Sequence, residues 1–160
     1  MIKLTLIMML IACAYNDLFH MKIPNLLTGS LAILFVLWTI TQGLPVMDVV
    51  QHIGVGLAIF VGTAILFRFR LIGGGDVKLL AVTGLWAGPA LVIPHLTVTS
   101  LLAGGLLVAL LVTRTIYFGV LTAIDYSGVP PVPPVLQPGA GVPYGAAIAA
   151  SAIILGIPVA

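Results

Sequence analysis

The sequence predicts an all-α, polytopic integral membrane protein with about six transmembrane helices in one domain, residues 1–160. Of its 160 residues, 61% are hydrophobic and only 6% are charged, whereas a soluble domain carries about 25% charged residues. The mean hydropathy is +1.29. So few charged side chains cannot cover a surface that faces water. The net charge of +2 is also too small and too scattered to indicate a nucleic-acid partner, so we expect membrane lipid to be the main environment.

Six apolar runs come close to the roughly 20 residues that a helix needs to cross a hydrocarbon core of about 30 Å. Several runs are short, so we expect interfacial ends or local bilayer thinning to accommodate them. Pro24 should end the first helix, Asn25 should cap the second, and a tight turn is expected near Pro94-His95. The six runs are Ile2–Asn16, Leu26–Thr41, Val49–Phe67, Val77–Ile93, Leu96–Thr113 and Val142–Val159.

Positive charge is distributed unevenly between the two sides of the membrane. With six spans, the loops at 17–25, 68–76 and 114–141 share one side, and the other side holds only Lys3. Basic loops mark the cytoplasmic side, so both termini should lie outside and these three loops inside. Their basic residues are Lys22, Arg68, Arg70 and Arg114, with Lys78 just inside the next span. The third loop is rich in proline over 128–138, which favours an extended conformation. The sequence does not decide whether this segment is a linker or a lid.

The N-terminal run allows a second interpretation. Lys3, an apolar stretch and then Ala12-Cys13 resemble a lipoprotein signal with its lipid-accepting cysteine. We favour an uncleaved first helix, because five more apolar runs follow and because a signal peptide would place Lys3 on the inner side, against the charge bias.

Two aspartates carry the chemistry that we predict. Asp17 follows the first apolar run, and Asp76 follows three glycines just ahead of the fourth run. The predicted orientation brings both to the cytoplasmic boundary. An ionised aspartate in a span costs at least about 2.5–3.5 kcal/mol, which makes such residues functional candidates. Facing carboxylates cannot both ionise cheaply, so the pair shares a proton. The ionised member can then activate water while the protonated member polarises a peptide carbonyl.

The helix dipole at Asp76 favours that residue as the base and Asp17 as the acid, with roles that swap during the cycle. Glycines beside Asp76 permit unusual backbone angles and a close approach of a bound peptide, which could add as an extended strand. These glycines are Gly73, Gly74 and Gly75.

Simpler interpretations remain open for each residue. The glycine run equally fits a flexible turn with Asp76 as a helix cap. Asp17 could be an interfacial residue paired with Lys22 or His20, and Lys78 is most simply a charged anchor on the cytoplasmic side. Asp48 falls on the outer side, and a solvated loop position is the simplest interpretation of Asp125.

Three blocks of sequence stand out: Asp17 with Ile23-Pro24-Asn25, then Gly73-Gly74-Gly75-Asp76-Val77-Lys78, then Val142-Pro143-Tyr144-Gly145-Ala146. Together they resemble the type IV prepilin peptidases, which are aspartic proteases of the GxGD class. The resemblance implies inner-membrane enzymes that cleave the basic leader of a prepilin on the cytoplasmic side, after a glycine that precedes a hydrophobic helix. By position it carries the two catalytic aspartates to Asp17 and Asp76, and the motif glycines to Gly73 and Gly75. The family gives Pro24, Asn25, Lys78 and Pro143-Tyr144-Gly145 a place in a motif but no role.

One departure from the larger relatives bears on function. Those proteins carry a cytoplasmic insertion with paired cysteines and also methylate the new N-terminus, whereas here Asp17 and Pro24 are seven positions apart and Cys13 is the one cysteine. Methylation is therefore not expected, and the short form is similar to peptidases of tight-adherence (Flp-type) pilus systems or to their archaeal counterparts. We expect no metal, because the three histidines are far apart, and no cofactor. Alternatives from other classes are a small ion- or proton-coupled transporter and a non-catalytic scaffold of a pilus or secretion machine.

Overall fold

The structure is a computed structural model, and it describes residues 1–123, 134–137 and 140–157. Within these residues all regular structure is helical, which confirms the predicted all-α class, whereas the predicted count of about six spans is not confirmed. Four helices are long and apolar enough to cross a membrane, and large apolar side chains such as Leu4, Ile33 and Leu101 are exposed along them. The helices are α1 (Ile2–His20), α2 (Asn25–Gln42), α3 (Val46–Arg68), α4 (Gly74–Ala123) and α5 (Tyr144–Ile154), with a short 3₁₀ turn at Pro134–Leu136.

The first connection differs in detail from the prediction. Helix α1 continues past Asn16 and ends at His20, where Met21 adopts a left-handed conformation (φ 52°) and donates its N–H to the carbonyl of Asp17 at 3.0 Å. Pro24 occupies the N-cap position of α2, so the prediction that Asn25 caps this helix is wrong. The Asn25 side chain is used elsewhere, because its Oδ1 accepts a hydrogen bond from Lys78 Nζ at 2.8 Å.

Helix α4 is a hairpin of two limbs, residues 74–87 and 89–123. The break lies at Gly88, which has φ 60° and ψ −170°. Its effect is visible at His95, whose Nε2 lies 2.9 Å from Thr83 Oγ1, although a straight helix would separate residues twelve apart by about 18 Å. The predicted turn near Pro94-His95 is therefore misplaced by six residues, since Pro94 lies inside the second limb.

The chain breaks at Gly88 because of its local chemistry. Pro89 has no N–H, so the carbonyl of Leu85 loses the donor that a continuing helix would supply. His52 of α3 replaces that donor, with Nδ1 2.8 Å from the Leu85 oxygen. The glycine is also required sterically, because a Cβ at Gly88 would lie 2.6 Å from His52 Nε2.

Helix α5 is short and central. Its small side chains allow close packing against α1 and α4, and Ala147, Ala149 and Ala152 are buried together with Ile148. Eleven residues rise only about 16 Å, which is half of a hydrocarbon core. A full sixth span over Val142–Val159 is therefore not confirmed.

Candidate active site

One end of the helical bundle collects the residues that the sequence analysis singled out. The last turn of α1 carries Asp17, which is only 6% exposed, and the first turn of α4 carries Asp76, which is half-buried. Both aspartates line the same two cavities, of about 760 Å³ and 570 Å³. The larger cavity is also lined by the end of α3 and the start of α5, and the smaller one by residues 21–25 and by the glycine run.

Asp17 is held by the start of α5. Its Oδ2 accepts a hydrogen bond from the backbone N–H of Ala146 at 3.2 Å. This contact depends on Gly145, since a Cβ there would lie 2.9 Å from Asp17 Oδ2 and 2.5 Å from the Cδ1 of Ile23. Pro143 precedes the helix as its N-cap residue. The third sequence block, residues 142–146, had no assigned role. Its Gly145 lets the backbone at the start of α5 approach the Asp17 carboxylate closely.

Asp76 is held by the glycine run in front of it. Its Oδ2 accepts the N–H of Gly73 at 3.3 Å, and a Cβ on Gly73 would lie 2.9 Å from that oxygen. A Cβ on Gly75 would lie 3.2 Å from Ile23 Cβ, whereas one on Gly74 would make ordinary contact with Phe67 at 3.4 Å. Gly73 and Gly75, the two motif glycines, are therefore the crowded ones.

The expectation of unusual backbone angles in the glycine run is wrong as far as left-handed conformations are concerned. None of the three glycines has a positive φ, and Gly74 and Gly75 already belong to α4. The left-handed residue in this loop is Arg70, at φ 60°. The glycines act through close approach, because they let Asp76 and Ile23 pack directly on the backbone.

Ile23 belongs to the first block of sequence, but sequence reasoning gave it no role. It is buried (9% exposed), and it packs against both Gly75 and Gly145, so that it separates the starts of α4 and α5 by the width of one side chain. A signal was available, since Ile23 is an apolar residue between Lys22 and Pro24 in a polar connection. Ile23 explains why the three blocks of sequence belong to one site.

The other predicted residues lie at the edge of the site. Lys78 and Asn25 join the starts of α4 and α2 through the hydrogen bond described above, and Pro24 lines the smaller cavity beside Asn25. Asp48 is in the first turn of α3, at the opposite end of that 23-residue helix from the aspartate cavities. Asp125 and most of the proline-rich segment 128–138 lie outside the described residues.

Arg114 was expected at the membrane edge, and it has a more specific set of contacts. Its guanidinium donates to the carbonyls of Val135, Ala140 and Gly141, with its shortest bond at 2.6 Å to Val135. Gly141 lines the larger cavity. The second limb of α4 therefore fixes the chain that leads into α5, and with it the wall of the cavity opposite Asp76.

The arrangement can support acid–base chemistry. Asp17 and Asp76 line the same two cavities. Two carboxylates that face one cavity cannot both ionise cheaply, so one can hold a proton while the other accepts one. In the described parts of the chain, no three histidine, cysteine or acidic residues are grouped to hold a metal ion.

The fold and this site define a multi-pass membrane protein with a pair of buried carboxylates at one end of its helices. A family model described as the type IV leader peptidase family matches residues 4–111, which is 108 of the chain's 160 residues. The chain therefore belongs to the type IV leader peptidase family. The match includes Asp17 and Asp76 and ends before the third sequence block. Neither curated proteins nor solved structures gave a match.

Proposed function

We propose that this protein is an aspartic endopeptidase that cleaves the leader peptide of prepilins, with Asp17 and Asp76 as its catalytic residues. One observation carries the proposal: the two aspartates, 59 positions apart in the chain, line the same two cavities. The family supplies the reaction class, which is hydrolysis of a leader peptide.

The positions of the aspartates in their helices suggest which one is the general base and which one is the general acid. Asp76 is in the first turn of α4, near the positive end of the helix dipole, and Asp17 is in the last full turn of α1, near a negative end. The dipoles of α1 and α4 therefore favour Asp76 as the ionised base and Asp17 as the holder of the shared proton. The N-terminus of α5, whose Ala146 N–H binds Asp17, acts in the opposite direction, so this division of roles belongs to the proposal. Asp76 takes a proton from water, whose oxygen attacks the scissile carbonyl carbon, while Asp17 gives its proton to the carbonyl oxygen.

Collapse of the tetrahedral intermediate reverses these roles. Asp76 delivers its proton to the leaving nitrogen as the C–N bond breaks, and Asp17 recovers a proton from the intermediate's hydroxyl group. No covalent enzyme intermediate forms, and the pair returns to its starting state. Each aspartate already has its Oδ2 occupied by a backbone N–H, which fixes the rotamer before the substrate arrives.

The substrate and its orientation are part of the same proposal. The basic residues Lys22, Arg68 and Arg70 lie in the two connections around the aspartate cavities, which supports a site at the cytoplasmic face of the inner membrane. The two limbs of α4 support six helical segments, although α5 does not cross the full core. The substrate is a prepilin of the Flp type, cut after a glycine that precedes its hydrophobic helix, and no methylation of the product follows.

The test is cleavage of a prepilin-like substrate by the purified protein in lipid vesicles. Asp17→Asn and Asp76→Asn should each lower kcat by about 10²- to 10⁴-fold or more, while a thermal melt shows that both variants fold. Asp48→Asn is the matched control, because Asp48 lies at the other end of α3, and it should cleave at the wild-type rate. A folded Asp17→Asn or Asp76→Asn variant with wild-type activity would contradict the mechanism.

Two other outcomes would indicate the alternative functions. If the wild-type protein cuts no leader but carries protons or cations across the vesicle membrane, and if either aspartate variant stops that flux, the protein is a transporter. If it does neither, and if both variants still support pilus assembly in cells, it is a scaffold.

A further inference from the structure

We propose that His95 is a positioning residue for this active site: it locks α5 to the first limb of α4 and thereby sets the separation of Asp17 and Asp76. The inference rests on the proposed function. His95 is fully buried (0% exposed), and its ring touches neither cavity that the aspartates line. A buried polar side chain in a membrane helix is costly unless its hydrogen bonds are satisfied.

The two nitrogens of the His95 ring bind hydroxyl groups on two different helical segments. Nε2 is 2.9 Å from Thr83 Oγ1 in the first limb of α4, and Nδ1 is 3.0 Å from Ser151 Oγ in α5. His95 itself lies in the second limb. A single side chain therefore joins three segments that are far apart in sequence, by hydrogen bonds that fix both direction and distance.

The proton count shows that a neutral ring completes this network. Thr83 Oγ1 can donate to the carbonyl of Leu79, and Ser151 Oγ can donate to the carbonyl of His95. A neutral imidazole has one N–H and one lone pair. One hydroxyl group therefore accepts from the ring, and the other donates to it. The carbonyl released by the donating hydroxyl keeps its ordinary helical N–H partner, so no buried group is left without a hydrogen bond.

The network lies directly beneath the active site. Thr83 follows Asp76 by seven residues, and Ser151 follows Ala146 by five, so both hydroxyl groups are about 8–10 Å along their helices from the carboxylate contacts. The first limb carries Asp76, and α5 carries the N–H that holds Asp17. Any slide or rotation between these two segments changes the geometry of the pair, and a misplacement of about 1 Å can cost about 10²-fold in rate.

The variant His95→Leu separates positioning from folding. Leucine is apolar and of similar size, and it leaves Thr83 and Ser151 free to keep their own carbonyl bonds, so it should create no unsatisfied buried group. We expect kcat to fall at least tenfold with KM within about twofold, and we expect His95→Gln, which can bridge both hydroxyl groups, to recover part of that loss.

Thr99→Val is the matched control. Thr99 is buried one turn further along the same limb, and its hydroxyl group has no hydrogen-bond partner among the described residues. Valine has the same shape and removes a polar group that bonds to nothing. This variant should therefore leave kcat and KM unchanged.

A distance measurement tests the positioning role without any need for cleavage. Spin labels are attached at Lys78→Cys and Ile154→Cys, two exposed positions on the segments that His95 joins; Cys13 is buried and stays in place. In vesicles, His95→Leu should shift or broaden the distance distribution, and Thr99→Val should not. If the wild type cleaves no leader, the proposed function fails, and the distances still decide whether His95 locks the two segments.

The proposal is overturned if His95→Leu has the distance distribution of the wild type. It is also overturned if this variant loses thermal stability while its folded fraction keeps the kcat of an active wild type, because His95 would then be a structural residue only.

Discussion

The replacement Gly145→Ala should nearly abolish activity although it adds only one methyl group. The new Cβ would lie 2.5 Å from Ile23 Cδ1 and 2.9 Å from Asp17 Oδ2, whereas carbon atoms pack comfortably at about 3.5–4.0 Å. Ile23 already packs against Gly75, which limits its rotation, so we expect the start of α5 to move by about 1 Å away from Asp17 and Ile23. That movement takes the Ala146 N–H, now 3.2 Å from Asp17 Oδ2, out of hydrogen-bonding range.

Two costs follow from this displacement. Overpacking of a tight interface lowers the free energy of unfolding by about 1–3 kcal/mol. The misplaced carboxylate should lower kcat by about 10²-fold, which corresponds to about 2.7 kcal/mol of transition-state stabilisation. The first cost is measured by thermal melting and the second by leader-peptide cleavage under saturating substrate.

A second substitution separates the two costs. Ile23→Val removes the Cδ1 atom but leaves the contact with Asp17, so the double variant Ile23→Val/Gly145→Ala should recover stability and remain slow. Gly104→Ala is the control, because a Cβ there meets nothing within 4 Å. Wild-type kcat in a folded Gly145→Ala variant would refute the reasoning that close packing holds Asp17 in place.

Three further predictions concern other parts of the molecule. Gly88→Ala should lower the free energy of unfolding by about 2 kcal/mol or more, seen as a lower Tm. The new Cβ would clash with the His52 ring, and alanine is strained at the positive φ of this position. An unchanged Tm would count against the hairpin. Arg70→Gly should raise stability by up to about 1 kcal/mol in a denaturant titration, because it relieves the left-handed conformation, whereas a loss would show that the side chain itself stabilises the loop. Lys78→Met should lower the free energy of unfolding by about 1–3 kcal/mol, because it removes one hydrogen bond between a charged group and Asn25 Oδ1, and an unchanged Tm would show that this bond does not hold α2 to α4.

The meeting of Asp17 and Asp76 could be predicted because charge patterning is a property of the sequence. Basic residues on alternate connections placed Asp17 and Asp76 on one side of the membrane, and the structure brings them to the same cavities. The contact between Asp17 and α5 could not be predicted in the same way, because it depends on how closely two helices approach. That distance is set by the absence of a side chain at Gly145 and the presence of one at Ile23, and the residue types alone do not show that these two positions meet.

The errors have physical causes as well. Pro94 was taken as a helix end because proline usually breaks a helix, but the chain had already turned at Gly88, where a lost hydrogen bond and a positive φ coincide. Asn25 was taken as a cap from its residue type, but its side chain instead accepts a hydrogen bond from Lys78, which is 53 positions away. In both places a long-range contact decided between two locally reasonable conformations.

The first limb of α4 has a consequence for where the reaction takes place. Its 14 residues, 74–87, extend only about 21 Å, so the limb is about 9 Å shorter than an unperturbed hydrocarbon core. If Gly88 lies near one interface, a limb of this length leaves Asp76 short of the other. A span that is too short is accommodated by local thinning of the bilayer, and in the proposed enzyme this thinning would bring water closer to the aspartates. A peptide bond at the edge of a hydrophobic helix can reach such a sunken site without the helix leaving the membrane.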